Sequence, residues 1–407
     1  MMNAKRFLIV ASVFILLGCQ EHIPQKGMWA GTITIGENKQ IPFQLFLDLN
    51  SAAPAGYFLN GTEQTSIPEI RIHGDSLSFI FSEYGAAMCG IWNGKEWRGK
   101  FFRYRADTSW NEFVSIPKEI VKENNAAAVS IGLPLAGKYQ AYISSSKGVD
   151  STTTANFWVK NDSVFGTLIA PDGDYGLLAG TQVGSMATLT RFTGWQAFIM
   201  ELERQGTNWN GWLYTRSGKP ITFILAPQSV LSSKSKPEYI TTMKNLKAPF
   251  TFYGTTSADN VVRSEDSLFR NKALLIDIMG TWCHNCMDAA PLLQQIYSEF
   301  GKDGLEVIGL AFEISNNPET AKKNLDLFQK RYGITYTVVF CGSTNDANVE
   351  LKLRSQLNNF YAYPTTIFVD KKGIVKKIHG GFNGPGTGEE YQRQIQQYYE
   401  TIKQLIK

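Results

Sequence analysis

The hydrophobic period of this chain changes once, near residue 246, so its two halves must fold by different rules. From Gly27 to about Pro227, apolar residues recur at every second position. Ile41-Pro42-Phe43-Gln44-Leu45-Phe46-Leu47, Leu77-Ser78-Phe79-Ile80-Phe81 and Ala155-Asn156-Phe157-Trp158-Val159 are examples. Period two marks pleated strands with one buried face, and Asn60-Gly61, Asn93-Gly94, Asp172-Gly173 and Ser217-Gly218 supply the turns between them. Eight of the nine tryptophans lie in this half, which suits half-buried pleated surfaces. Beyond Leu246 the rule is different. Ala273 to Met279 and Leu305 to Phe312 are near-continuous apolar runs, as expected for strands of a sheet covered on both faces. Met287, Ala290, Leu293, Tyr297 and Phe300 share one helical face, and Leu325, Phe328 and Tyr332 share another. Thr366–Val369 and Ile374–Ile378 predict a hairpin, and Thr387-Gly388-Glu389-Glu390 has capping-box spacing before a last helix. The alternation of strands and helices predicts an α/β domain.

The all-β half carries a weak self-similarity. Gly27 and Gly137 are 110 residues apart, as are Gly56 and Gly166, and the strand from Leu77 maps at the same offset onto Ala187 to Arg191. Two duplicated sandwich- or barrel-like units are expected, over 27–118 and 135–228. Ser229 to Pro237 is polar and Ser/Lys-rich, so 229–246 is read as a linker and 247–407 as the α/β domain. No carboxylate pair or metal-ligand cluster stands out in the β half, and Cys89 reads as a small buried hydrophobe. That half is therefore read as a module that selects a client or places its neighbour. A net charge of +4 on 407 residues is too mild to argue for nucleic acid.

At the start of the chain, Lys5 and Arg6 precede an apolar run from Phe7 to Gly18. Twelve residues are too few to span a bilayer core, which needs about 20 in a helix, so 1–18 reads as an export signal. Leu16-Leu17-Gly18-Cys19 resembles a bacterial lipoprotein box. The resemblance implies cleavage before Cys19, a lipid on its sulfur, a short anchor linker over 19–26, and a place in the cell envelope facing the periplasm.

Cys283-His284-Asn285-Cys286 follows a predicted buried strand and opens a predicted helix, the context in which C-x-x-C is a redox motif. The helix N-terminus stabilises a thiolate at Cys283, and the spacing lets Cys286 resolve a mixed disulfide. A protonated His284 would tune the pair by adding positive charge. From about Pro249 onward the chain resembles the thioredoxin superfamily, and within it the exported TlpA/ResA-like thiol–disulfide oxidoreductases. Thr281-Trp282-Cys283-His284-Asn285-Cys286 matches W-C-x-x-C, Pro291 matches the proline of the active-site helix, and Tyr363-Pro364-Thr365-Thr366 matches the cis-proline loop. The resemblance implies that Trp282, Tyr363 and Pro364 border the substrate. It also implies a buried acid that takes the Cys286 proton: Asp277, where thioredoxin has an aspartate, or Glu313, where TlpA/ResA-like proteins place a glutamate. Glu313 is preferred, and the resemblance is compatible with both acting.

His-Asn replaces the Gly-Pro common in reducing members, so the potential is not inherited, and the extra Cys341 is read as a buried structural thiol. The implied activity is reduction of disulfides in exported proteins, with electrons from a membrane donor of the disulfide-relay type and no cofactor or metal. A Cu(I) chaperone using the same cysteines is the alternative. Haem attachment fails because Met287 stands where C-x-x-C-H needs histidine.

Overall fold

The computed structural model describes residues 23–36, 38–103, 110–118, 134–146, 148–228 and 239–407. The expected signal over 1–18, the lipid site Cys19 and positions 229–238 of the expected linker lie outside the described residues.

The period-two half forms two antiparallel sheets. Strands β1 (Lys26–Ile35), β2 (Lys39–Asp48), β3 (Ala55–Asn60), β4 (Glu63–Ser66) and β5 (Glu69–His73) begin the first. Strands β6 (Ser76–Phe81), β7 (Ala86–Trp92), β8 (Trp97–Arg103) and β9 (Trp110–Pro117) complete it. Their spatial order is β4-β3-β2-β1-β9-β8-β7-β6-β5, so the meander closes through β1 and β9 and leaves β4 and β5 as edges. The alternate residues Ile41, Phe43, Leu45 and Leu47 of β2 all point into the core, as period two requires.

The second sheet begins with β10 (Gly137–Ser145), β11 (Gly148–Asp150), β12 (Thr154–Lys160), β13 (Ser163–Ala170) and β14 (Gly173–Asp174). It continues with β15 (Leu178–Val183), β16 (Met186–Phe192), β17 (Ala197–Gln205), β18 (Asn208–Tyr214) and β19 (Pro220–Pro227). Here β19 pairs back onto β10, which makes a closed barrel. Closure removes the exposed edges that an open sheet must protect. Tyr139, Phe157, Leu189, Leu202 and Trp209 fill the interior.

Phe192, at the end of β16, belongs in space to the first sheet's core. Its ring lies 5.1 Å from Phe43, 4.8 Å from Phe58 and 5.4 Å from Phe101. The Asn60 side chain accepts from its backbone N–H at 2.8 Å and donates to its carbonyl at 3.0 Å.

The C-terminal part contains β20 (Thr242–Met243), β21 (Tyr253–Thr255), β22 (Val261–Arg263), β23 (Ala273–Met279) and β24 (Leu305–Glu313). It also contains β25 (Thr337–Ser343), β26 (Leu357–Asn358), β27 (Thr365–Val369) and β28 (Val375–Gly380). Seven of these strands form a mixed sheet in the order β22-β21-β25-β24-β23-β27-β28, with β23 and β24 parallel and β23 and β27 antiparallel. Helices α1 (His284–Phe300) and α2 (Pro318–Tyr332) and a C-terminal helix (Glu389–Leu405) accompany it. Strands β23 and β24 are buried along their whole length, as their apolar runs predict.

Three expectations are corrected. Residues 239–246 are not all linker: Thr242 and Met243 pair with Asn358 and Leu357, so the α/β part begins before 247. Thr387 does not cap the last helix: its hydroxyl donates to the Gly384 carbonyl at 2.8 Å, and Gly388 occupies the N-cap. Cys89 is half-buried, because the alternation of β7 turns it away from the side on which Met88 is buried.

One apolar core runs from the first sheet to the α1 side of the C-terminal sheet. Tyr84 stacks on Trp195 at 3.7 Å within it, and beside it Arg331 of α2 pairs with Glu83. Phe192→Ala should cost about 3–5 kcal/mol, the range for removing a buried phenyl ring. Urea unfolding followed by tryptophan fluorescence measures the loss, and a change below about 1 kcal/mol would refute the packing role given to this ring.

Candidate active site

Strand β23 delivers the chain to the site, and α1 begins immediately after Cys283. Cys283 is the N-cap, in extended conformation, and its sulfur accepts from the Cys286 backbone N–H at 3.2 Å. A sulfur at a helix N-terminus faces unpaired N–H groups and the positive end of the helix dipole, which favour a thiolate. Cys283 and Cys286 are joined as a disulfide, with their Cα atoms 5.2 Å apart. Only 6% of Cys283 and 1% of Cys286 is exposed, so Cys283 is the more accessible residue of the two. Pro291 lies inside the same helix.

Opposite the disulfide, the Tyr363–Pro364 bond is cis. The Tyr363 carbonyl oxygen lies 3.3 Å from Cys283 Sγ. Trp282 donates from its indole N–H to the Phe312 carbonyl at 2.9 Å, and its ring meets that of Tyr363 edge-on at 5.4 Å. The sequence-predicted residues Trp282, Cys283, Cys286, Tyr363 and Pro364 therefore lie together, with Cys286 and Pro364 buried beneath the others.

The two candidate acids have different surroundings. Glu313 is fully buried and accepts three hydrogen bonds: from the Thr281 N–H at 2.8 Å, the Thr281 hydroxyl at 2.8 Å and the Asn324 amide at 3.4 Å. It clamps the turn that carries Trp282 and Cys283. Asp277 is buried with one long hydrogen bond, from the Thr366 hydroxyl at 3.5 Å, and Thr366 in turn accepts from Tyr398 at 2.9 Å. Burial without compensating donors pushes the Asp277 carboxyl up to about 7.

The dipeptide His284-Asn285 is occupied from the β half, which sequence reasoning left without site chemistry. Arg191 of β16 has a fully buried side chain. Its Nη1 and Nη2 donate to the two carboxylate oxygens of Glu63 on β4, each at 2.8 Å. Nη2 is also 3.4 Å from His284 Nε2, and Asp288 Oδ2 lies 3.3 Å from the same ring nitrogen. Burial, reinforced by the Arg191 charge, lowers His284 to about 3. The charge that a protonated His284 would add to the pair is disfavoured in this surrounding.

Asp174 of β14 accepts from the Gly384 N–H at 2.6 Å, and the Asn285 amide donates to the Asp172 carbonyl at 3.4 Å. Gly173, at φ +135°, permits this approach, since a Cβ there would overlap the Asn285 amide. No local sequence signal marks Arg191, Glu63 or Asp174. Cys341 is buried away from the disulfide, and burial pushes its thiol up to about 12, which makes it inert as a nucleophile.

Residues 243–378 match the AhpC/TSA family. The thiol–disulfide oxidoreductase ResA of Geobacillus thermodenitrificans is 29% identical over 138 residues, which are 33% of this chain and 66% of that protein. The thioredoxin-like protein YneN of Bacillus subtilis is 26% identical over 112 residues, 28% of this chain and 58% of the relative. The chain thus spans slightly less than two thirds of these relatives. A thioredoxin-family thiol:disulfide interchange protein of Chlorobium tepidum aligns with 19% identity and a TM-score of 0.30, over 39% of this chain and 95% of that one. The C-terminal part of the chain is thus a thioredoxin-like domain that matches the AhpC/TSA family over residues 243–378 and is similar to the ResA thiol–disulfide oxidoreductases.

Proposed function

We propose that this chain is an exported, lipid-anchored thiol–disulfide oxidoreductase that reduces disulfides in exported proteins through Cys283 and Cys286. The observation that carries the reading is the placement of Cys283 Sγ at the N-cap of α1, 3.3 Å from the Tyr363 carbonyl beside a cis proline. An extended client segment can pair with that backbone and bring its disulfide onto the sulfur. The Cys283 thiolate attacks one client sulfur, forming a mixed disulfide and expelling the other as thiolate. Cys286 loses its proton and attacks Cys283 Sγ, which releases the second client thiolate and leaves Cys283–Cys286 oxidised. A membrane dithiol donor then returns two electrons and two protons.

Asp277 suits the proton transfer better than Glu313. A carboxyl held near 7 exchanges protons at neutral pH, whereas Glu313 is committed to Thr281 and Asn324. Trp282 and Tyr363 border the client on one flank. Anchoring through Cys19 rests on Leu16-Leu17-Gly18-Cys19 and places the domain in the envelope, facing the periplasm. The two β units are read as a duplication, over 27–118 and 135–228. Support comes from the 110-residue offset, at which β9 (Trp110–Pro117) falls on β19 (Pro220–Pro227), and from the common meander order.

Three outcomes are expected. Cys286→Ser should accumulate client proteins on Cys283 as mixed disulfides, resolved by non-reducing electrophoresis, and Cys283→Ser should trap none; equal trapping by both variants would refute the assigned roles. Cys19→Ala should abolish metabolic labelling of the protein by palmitate. The third concerns stability. Asp277 is raised in the folded state, so between about pH 4 and 7 the folded protein holds a proton that the unfolded chain has lost, and stability falls as pH rises through that window. Asp277→Asn should remove this slope and be more stable than the parent at pH 8 in urea titrations, while turnover of a disulfide substrate falls.

A further inference from the structure

We infer that Arg191, carried by the β half, is a positioning residue for the redox pair: it holds His284 as a neutral imidazole and so keeps Cys283–Cys286 reducing. The inference rests on the proposed oxidoreductase activity and extends it to a residue outside the thioredoxin-like domain.

The geometry fixes the proton. A guanidinium has donors and no acceptor. His284 Nε2, 3.4 Å from Arg191 Nη2, can therefore only be the ring's lone-pair atom while that contact is kept. The same nitrogen lies 3.3 Å from Asp288 Oδ2, a favourable contact for an unprotonated Nε2 if Asp288 carries the proton. The surroundings of Asp288 agree. Burial, and then the charges of Asp174 and Glu63, hold its carboxyl well above the usual range.

The charged groups facing the ring act in opposite directions, and the balance with burial favours this arrangement. Arg191 repels a second positive charge, and Glu63, which would attract one, is saturated by both ends of the Arg191 fork. Asp174 is tied to the Gly384 and Gly176 backbone N–H groups at 2.6 and 2.9 Å, and burial, with the charges of Asp174 and Glu63, raises the Asp288 carboxyl and disfavours its charged form. Arg191 cannot relax away, because Nε donates to Gln196 at 2.9 Å and Nη1 to the Leu177 carbonyl at 3.0 Å.

The consequence reaches the sulfur through the chain. A His⁺ beside Cys283 would stabilise its thiolate, and stabilising the reduced form makes a disulfide more oxidising. A neutral His284 withholds that stabilisation, so the β half sets the direction of electron flow by denying His284 a proton.

The test uses the full chain. In labelled protein the His284 ring should stay neutral down to about pH 5 by NMR; a titration midpoint near 6.5, the ordinary value, would overturn the inference without any substitution. In Arg191→Gln, His284 regains its proton, so the equilibrium constant of the pair with glutathione at pH 6 should shift at least tenfold toward the dithiol. That is about 30 mV more oxidising, and it should shrink toward pH 8. Arg191→Lys keeps the charge and should restore the parental value. In a His284→Gln background Arg191→Gln should move nothing. A folded Arg191→Gln protein with parental potential and parental pH profile of Cys283 alkylation would refute the proposal, as would an equal shift without His284. If the pair did not exchange with glutathione at all, the oxidoreductase reading itself would fail, and the His284 titration would still decide the charge state.

Discussion

A single buried cation ties the parts of this molecule together. The Arg191 guanidinium is removed from water where the first sheet, the barrel and the thioredoxin-like domain meet. Stripping a charge of water costs several kcal/mol, and only a near-complete set of partners offsets it. Glu63 supplies two acceptors from the first sheet, while Gln196 and the Leu177 carbonyl supply two from the barrel. Burial opposes the charge on Glu63, yet the guanidinium outweighs it and holds the carboxyl below its usual range. Such a pair adds little net stability, because desolvation takes back most of the attraction. What it adds is position, since any other relative placement of the three parts leaves a buried charge unpaired.

The placement is reinforced by contacts of a different kind. Phe192, one residue beyond Arg191, inserts into the first sheet's aromatic core, so the strand that aims the guanidinium is itself held by non-directional packing. Asp174 and Gly173 bring the β13–β14 turn onto Gly384 and Asn285 through directional hydrogen bonds. Packing supplies the adhesion and hydrogen bonding supplies the register. The result is a redox motif whose middle two residues touch another part of the chain while its two sulfurs keep the Tyr363 side.

The thioredoxin-like half was legible in sequence because its signals are local. Apolar runs announced β23 and β24, the spacing of Cys283 and Cys286 placed them one helical turn apart, and Tyr363-Pro364 marked the facing loop. The β half was legible only in type. Period two gave strands and Gly-containing dipeptides gave turns, but closure of one sheet through β10 and β19 and opening of the other at β4 and β5 depend on pairings far apart in sequence. The polar cluster failed for the same reason. Glu63 and Arg191 are 128 positions apart, and Arg191 and His284 are 93 apart. No spacing rule spans such separations, so Arg191 looked like any strand residue. The charge state of His284 is open in the sequence because its own sequence neighbours carry no hint of a cation arriving from elsewhere.

Under the proposed reducing activity, this arrangement accounts for a His-Asn dipeptide between the cysteines. In an isolated domain, a histidine between the cysteines at a helix N-terminus would titrate near its ordinary pKa, and the pair would grow more oxidising as pH fell. In the proposed arrangement covering the dipeptide weakens that dependence: the ring is buried, a fixed positive charge sits beside Nε2, burial disfavours the charged form of Asp288, and Asp174 is bound to backbone N–H groups. The helix dipole and the Cys286 N–H, neither of which titrates, remain to favour the Cys283 thiolate. The flank occupied by the β13–β14 turn is also closed to a client, so an extended segment pairing with the Tyr363 backbone is confined to the side bordered by Trp282. In the proposed reading, one docking contact bears both on the chemistry of the sulfur and on the direction from which a disulfide reaches it.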